Sequence, residues 1–106
     1  MSAAVLTMTS RTSSDGHVLI ELVGRFDAHE TEALRVLVDE VLSTGASSIV
    51  FSLSEVNFID STGLAELVRT MKGCRERGGE VILDGVSNAV RIILELTKLD
   101  AAFTLR

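Results

Sequence analysis

Proline is missing from the chain, cysteine occurs once, and aromatic residues make up 4% of the 106 residues. Without proline, nothing in the sequence interrupts a helix. The single cysteine, Cys74, excludes an internal disulfide, and the core has to be built from Leu, Val, Ile and Ala. No apolar run approaches the roughly 20 residues that span a bilayer, and the N-terminus lacks the basic and long apolar regions of a signal peptide. We therefore expect a cytoplasmic protein.

The sequence also lacks the patterns of several kinds of ligand site. The formal net charge is -5 and no basic stripe is visible, which argues against nucleic acid or an anionic membrane surface as a partner. Neither Gly-x-x-x-x-Gly-Lys nor Gly-x-Gly-x-x-Gly occurs, so the chain offers no nucleotide cradle. Two separated histidines and one cysteine do not make a metal site. We expect no cofactor and no bound metal.

What the chain does contain is typical of a folded domain, with 46% hydrophobic and 24% charged residues. Its length predicts a single domain, residues 1–106. Two β-like runs, "AVLTMTS" and "HVLIELVG", flank an Asp-Gly turn signal and predict an antiparallel hairpin. Asp27, with Glu30 three residues later, predicts the start of a helix that ends near Gly45. A third strand is predicted at Ser47–Leu53.

The second half of the sequence continues the alternation of strand and helix. A short loop leads to a second helix with the inward stripe Leu64, Leu67, Val68 and Met71, which ends at Gly78-Gly79. "EVILDG" predicts a fourth strand, and "AFTLR" predicts a short last strand. Ser87 caps a third helix with little polar face, which leaves two alternatives, a partly exposed contact surface and a deeply packed helix, and we expect the second. The fold class is therefore α/β, a small mixed β-sheet of four to five strands with helices packed against it.

A polar cluster, Asp60-Ser61-Thr62-Gly63, stands between the third strand and the second helix. Functional groups gather at the carboxyl ends of strands in open α/β sheets. In one interpretation, Asp60 or Ser61 is simply the N-cap and Gly63 eases a tight turn. In the other, a hydroxyl of the cluster takes a phosphate, which the helix N-terminus would stabilise. The second interpretation requires Ser61 to be exposed at the start of a helix, with Asp27 and Asp60 as neighbours.

Three stretches carry a resemblance to a known family. "LSEVNFIDSTGLAEL" resembles the signature of anti-sigma factor antagonists, the bacterial proteins built on the STAS domain. "VGRFDAHETEAL" is similar to their Gly-x-x-Asp segment, and the tail "GGEVILDGVSNAVRIILELTKLDAAF" is similar in spacing and residue type. The resemblance covers nearly the whole chain and implies the STAS fold.

The resemblance implies a partner switch that regulates transcription. Ser61 would be the phosphoacceptor, and Asp27, Asp60, Thr62 and Gly63 would belong to the partner-binding surface. The partner would be an anti-sigma factor serine kinase of the GHKL type. The unphosphorylated chain would bind this kinase and free the sigma factor. Phosphorylation would end the binding, and a separate serine phosphatase acting on phospho-Ser61 would restore it.

The chain departs from the family pattern at a few positions. Ala65 and Glu66 follow Gly-Leu where the family often has glycine. Arg25 and Phe26 stand where many members have an acidic and then an aliphatic residue. These differences could alter the choice of partner. The negative charge and the absence of a heptad seam predict a monomer in isolation.

Two functions other than the partner switch are compatible with parts of the sequence. A catalytic triad of Ser61, His29 and Asp27 can be imagined, but no Gly-x-Ser-x-Gly elbow exists, so we expect no enzyme. The alternative is a STAS accessory module of a transport system or stress-signalling complex, which would use the same surface without phosphorylation. Neighbouring genes would distinguish the two, since kinase and sigma factor genes favour the switch whereas permease and ATPase genes favour transport.

Overall fold

An antiparallel hairpin opens the fold. β1 (Thr7–Thr12) pairs with β2 (Val18–Phe26), and Met8 lies opposite Leu22. The hairpin predicted from the sequence is confirmed. The computed structural model describes residues 6–13 and 16–106, so the first two residues of the predicted first strand and the middle of the predicted turn lie outside the described residues.

Helices and parallel strands alternate after the hairpin. The five strands form one sheet in the order β1-β2-β3-β4-β5, and all neighbours after the hairpin are parallel. This is the mixed α/β sheet predicted from the sequence. The remaining elements are α1 (Ala28–Ser43), β3 (Ile49–Ile59), α2 (Ser61–Glu76), β4 (Val81–Asp84), α3 (Asn88–Leu96) and β5 (Thr104–Leu105). Within the described ranges, no helix is long and apolar enough to cross a bilayer.

The strand order places the helices on one face of the sheet. Every connection from β2 onward moves to the next strand in the same direction, and right-handed crossovers then put each helix on the same side. The alternation along β2 agrees with this arrangement. Ile20 and Leu22 are buried, whereas Glu21, Val23 and Arg25 between and after them are exposed. We call the face that these exposed residues share the open face of the sheet.

β3 is longer than the sequence predicted. The predicted strand ended at Leu53 and was followed by a loop, but β3 continues to Ile59 and only Asp60 separates it from α2. Val56 and Ile59 are buried and pair with β2 in this second half. Two irregularities in the β2–β3 register interrupt the regular alternation of buried and exposed residues. Because the alternation is lost there, the strand predicted from the sequence ended too early, at Leu53.

The third helix is less buried than expected. Ser87 caps it as predicted, with its hydroxyl accepting a hydrogen bond from Val90 N at 3.3 Å. Val90 and Leu94 are buried, but Ile92 and Leu96 are 54% and 78% exposed. The expectation of deep packing was wrong, because only one stripe of this nine-residue helix reaches the core.

Candidate functional site

Two aspartates occupy equivalent positions at the carboxyl edge of the sheet. Phe26 ends β2 and Ile59 ends β3, and these two residues are paired with each other in the register. Asp27 and Asp60 follow directly, and each is the N-cap of the next helix. α1 and α2 therefore begin side by side, and the sequence prediction that Asp27 and Asp60 are neighbours agrees with this geometry.

The Asp60 carboxylate connects the two helix N-termini. Its Oδ1 accepts hydrogen bonds from Gly63 N at 2.9 Å and from Thr62 Oγ1 at 2.7 Å. Its Oδ2 accepts from Ala28 N, the first residue of α1, at 3.1 Å. The backbone N–H of Asp60 donates to Phe26 O at 3.2 Å. One residue thus caps α2, binds the start of α1 and fastens both to the end of β2.

The same hydrogen bonds control the charge of Asp60. Burial acts to raise the pKa of this carboxyl, but the bonds from Gly63 N, Thr62 Oγ1 and Ala28 N outweigh it and hold the pKa below its ordinary value. Asp60 is therefore a carboxylate at neutral pH. It brings a fixed negative charge to the edge of the sheet.

Asp27 is the N-cap of α1, at the helix start that Asp27 and Glu30 predicted. Its Oδ1 accepts from His29 N at 3.1 Å, whereas Glu30 N donates to the Asp27 backbone carbonyl at 3.0 Å. Thr31 Oγ1 donates to the same carbonyl at 3.1 Å. The N-cap prediction for Asp27 is confirmed. The His29 side chain is 90% exposed, with Nδ1 3.5 Å from Asp27 Oδ1.

Ser61 and Thr62 differ although they are adjacent and both exposed. The Thr62 hydroxyl is held by Asp60, but within the described part of the chain no hydrogen-bond partner is found for Ser61 Oγ. Ser61 is the first residue of α2, so its position is the one that the sequence predicted. Its role as phosphoacceptor stays a prediction.

Gly63 is buried against the ends of the two strands. A Cβ atom at this position would lie 2.9 Å from Phe26 O and 3.1 Å from both Ile59 Cγ1 and Phe26 Cδ1. These distances are shorter than ordinary contacts, and one of the neighbours is backbone. The absence of a side chain therefore lets the first turn of α2 lie close to β2 and β3. This contact fixes where Ser61 is presented.

A buried carboxylate one turn further along α2 was not anticipated from the sequence. Glu66 is 1% exposed, and its carboxylate accepts hydrogen bonds from Arg35 Nε at 3.3 Å and from Arg69 Nε at 2.9 Å. Arg69 also donates to Asp39 on α1 at 3.3 Å. The hydrogen bonds to Glu66 raise the pKa of the Arg69 guanidinium. The i, i+3 spacing of Glu66 and Arg69 is visible in the sequence, but the contact of Glu66 with Arg35 on α1 is not.

The chemistry available at this edge is that of an accessible hydroxyl beside fixed charges. A helix N-terminus presents unpaired N–H groups and partial positive charge. Among residues 6–13 and 16–106, no group of three or more His, Cys, Asp or Glu side chains is placed to hold a metal ion. The arrangement suits covalent attachment of a phosphate to Ser61 Oγ and contact with another protein.

Comparison with known sequences identifies the family. The STAS domain family matches residues 9–106, almost the whole chain. The chain therefore belongs to the STAS domain family, as the resemblance in its sequence predicted.

Two sequence relatives are named as antagonists of anti-sigma factors. The anti-sigma F factor antagonist of Paenibacillus polymyxa is 29% identical over 85 residues, which cover 79% of this chain and 73% of the relative. The anti-sigma-B factor antagonist of Staphylococcus aureus is 27% identical over 88 residues, which cover 83% and 82% of the two chains.

Solved structures confirm the fold. An anti-sigma factor antagonist of Mycobacterium paratuberculosis superimposes with a TM-score of 0.83 at 27% identity, over 95% of this chain and 85% of the other. The Bacillus protein SpoIIAA in its phosphorylated form gives a TM-score of 0.76 at 22% identity, over 94% and 91%. Its unphosphorylated form gives 0.78 at 21%, over 94% and 87%. The five-stranded sheet with three helices is thus the STAS fold.

Proposed function

We propose that this protein is an anti-sigma factor antagonist whose binding to an anti-sigma factor serine kinase is ended by phosphorylation of Ser61. The observation that carries the proposal is the exposed Ser61 hydroxyl, without a hydrogen-bond partner in the described part of the chain, at the first position of α2. The names of the sequence relatives support the class of partner.

The chemistry at Ser61 is phosphoryl transfer from ATP held by the kinase. Ser61 Oγ forms a bond to the γ-phosphorus, the bond from that phosphorus to its bridging oxygen breaks, and ADP leaves. The hydroxyl proton passes to a base of the kinase, since the Asp60 oxygens are engaged by Gly63, Thr62 and Ala28. The antagonist contributes position, because the cap and the buried Gly63 hold the first turn of α2 in place.

The phosphate ends binding through its charge. It adds about -1.5 to -2 charge at neutral pH, beside the two carboxylates of Asp27 and Asp60. A partner surface that covers Ser61 must then desolvate this group or oppose it with its own carboxylates. An unpaired buried ion costs several kcal/mol, and each 1.4 kcal/mol is tenfold in affinity.

The fold can keep its shape through this change. The bonds that fasten α2 run through Asp60 and Gly63, and none of them uses the Ser61 hydroxyl. The helix N-terminus favours a phosphate electrostatically. The two SpoIIAA forms, which match this fold with similar TM-scores, support a switch without unfolding. Because Ser61 is exposed, a serine phosphatase can reach the phosphate and reset the switch.

The proposal is tested by mapping the phosphate. The purified chain is incubated with ATP and each GHKL-type anti-sigma factor of the source organism in turn, and the product is analysed by peptide mass spectrometry. We expect one phosphate on Ser61, lost in Ser61→Ala and retained in Ser54→Ala, which changes an exposed serine of β3. If the chain binds an anti-sigma factor but none of these kinases phosphorylates it, the result would favour the constitutive accessory module instead. Phosphate on Thr62 would refute the assignment of Ser61.

A further inference from the structure

An exposed aromatic side chain lies on the open face close to Ser61. The chain has four phenylalanines, of which Phe26, Phe51 and Phe103 are at most 6% exposed whereas Phe58 is 37% exposed. Phe58 pairs with Arg25 across the β2–β3 register, and the Arg25 guanidinium carbon lies 4.1 Å from the centre of the Phe58 ring. An aromatic ring and a stacked cation are thus presented together to solvent.

Two contacts hold the Arg25 side chain in this place. Besides the ring of Phe58, the Asp27 carboxylate lies near it, with Arg25 Nε and Asp27 Oδ2 3.9 Å apart. The Arg25 side chain is nevertheless 47% exposed, so its guanidinium retains donors for another group. A side chain that is already positioned loses less entropy when it binds. Through Asp27, the Arg25–Phe58 pair is joined to the end of the sheet where Asp60 and Ser61 lie.

The distance along the chain puts this pair within one interface. Phe58 precedes Ser61 by three residues, which span at most about 11 Å of extended chain. A stable protein interface buries about 800 Å² on each partner, and a circular patch of this area has a radius of about 16 Å. A protein centred on Ser61 therefore reaches Phe58.

We infer that Arg25 and Phe58 form a specificity-determining contact for the same protein that covers Ser61, which places a carboxylate against Arg25 and an apolar side chain against Phe58. The inference rests on the proposed function. Arginine and aromatic residues dominate binding energy at protein interfaces. The edge presents two anions, Asp60 and Asp27, and then the cation Arg25, so a carboxylate of the partner fits beside Arg25 and not beside the two aspartates.

This charge order selects between partners. A kinase with a cation opposite Arg25 meets like-charge repulsion next to the contact that it makes with the carboxylates. A kinase with a carboxylate there gains a charge-assisted hydrogen bond from a guanidinium that is already oriented. Kinases of one class are thus distinguished by a single position.

The GHKL-type anti-sigma factors of the source organism are expressed one at a time, and one that binds the unphosphorylated wild type is selected. The test measures the affinity of each variant for this anti-sigma factor. Phe58→Ala and Arg25→Glu are compared with two matched controls. Val36→Ala removes an exposed apolar side chain from α1, and Arg11→Glu reverses an exposed cation on β1 at the opposite end of the sheet. Circular dichroism melts show that each variant is folded.

We expect both Phe58→Ala and Arg25→Glu to raise Kd at least about tenfold, and both controls to change it less than about twofold. A partner variant with one Asp or Glu reversed to Lys should restore the affinity of Arg25→Glu. Folded variants with wild-type affinity would overturn the inference while leaving the phosphorylation of Ser61 intact. If none of the kinases binds the wild type, the proposed function fails first.

Discussion

At the scale of single residues, two adjacent hydroxyls have different surroundings. The Thr62 hydroxyl donates a hydrogen bond to the Asp60 carboxylate, whereas no hydrogen-bond partner is found for Ser61 Oγ among the described residues. A modification of Thr62 would therefore disturb the cap of α2, but a modification of Ser61 would not. The local structure separates the residue that maintains the helix from the residue that we propose as the phosphoacceptor.

Asp60 should stabilise the fold in a pH-dependent way. Asp60→Asn replaces one of the two carboxylate oxygens, Oδ1 or Oδ2, with an amide donor, and Oδ2 is the atom that accepts from Ala28 N. We therefore expect the free energy of unfolding to fall by about 1 kcal/mol near neutral pH. Because the pKa of Asp60 is lowered on folding, its charge contributes fully above the ordinary carboxyl pKa and less as pH falls through the folded value. The difference between wild type and variant should therefore shrink below about pH 4.

Urea unfolding between pH 7 and pH 3 measures this difference. Asp100→Asn, which changes an exposed aspartate outside the site, is the control. A difference that stays constant over the whole range would show that the charge of Asp60 is not what stabilises the junction.

Gly63 should tolerate no side chain. In α2, Gly63→Ala brings a methyl group to 2.9 Å from Phe26 O, and the backbone has to move at a cost of about 1–3 kcal/mol. Gly73→Ala in the same helix is the matched control, since its Cβ would meet Leu42 Cδ1 at 3.4 Å and Arg77 Nη1 at 3.9 Å. Both neighbours of that Cβ are side-chain atoms at ordinary contact distance, so the better helix propensity of alanine should stabilise the protein by up to about 1 kcal/mol. Thermal melts that give both variants the same sign would contradict the packing at Gly63.

At the scale of secondary structure, the packing of α1 on α2 depends on a charged residue. Glu66 receives Arg35 from α1 and Arg69 from its own helix, and both arginines are partly exposed. The arginines keep contact with water while their common acceptor does not. This arrangement links the two helices whose N-termini form the site.

Removing the Glu66 carboxylate should weaken that packing. We expect Glu66→Ala to lower the free energy of unfolding by about 2 kcal/mol, because hydrogen bonds to a charged group are lost and a cavity is left. Glu40→Ala, an exposed position on α1, should change it by less than about 0.5 kcal/mol. Equal denaturation midpoints for Glu66→Ala and wild type would show that the cluster is not structural.

The elements that could be predicted from sequence are those with local signals. The Asp-Gly turn signal, the aspartate and serine caps and the helical stripes gave the hairpin, the three helices and the position of Ser61. The second half of β3 could not be predicted, because its pairing with β2 contains two register shifts. The burial of Glu66 and the stacking of Arg25 on Phe58 depend on side chains from distant segments, which no local pattern reveals.

At the scale of the whole molecule, one edge of the sheet carries the candidate functional groups. The caps of α1 and α2, the free hydroxyl and the Arg25–Phe58 pair all lie where β2 and β3 end. The core and the helices are on the other side of the sheet from the open face. A partner can therefore bind or leave without disturbing the core. The monomeric state stays a prediction, which light scattering at micromolar concentration would test.

The most direct measurement compares the affinity of the kinase for four forms of the chain by calorimetry, in the absence of ATP. The forms are the wild type, Ser61→Ala, Ser61→Asp and the protein phosphorylated on Ser61. We expect Ser61→Ala to bind like the wild type, and phosphorylation to raise Kd at least about a hundredfold, which corresponds to about 3 kcal/mol. Ser61→Asp should fall between them, since it carries less charge and fewer acceptor oxygens. Equal affinities for all four forms, with unchanged melts, would contradict the switch and leave Ser61 as an ordinary residue of the helix N-terminus.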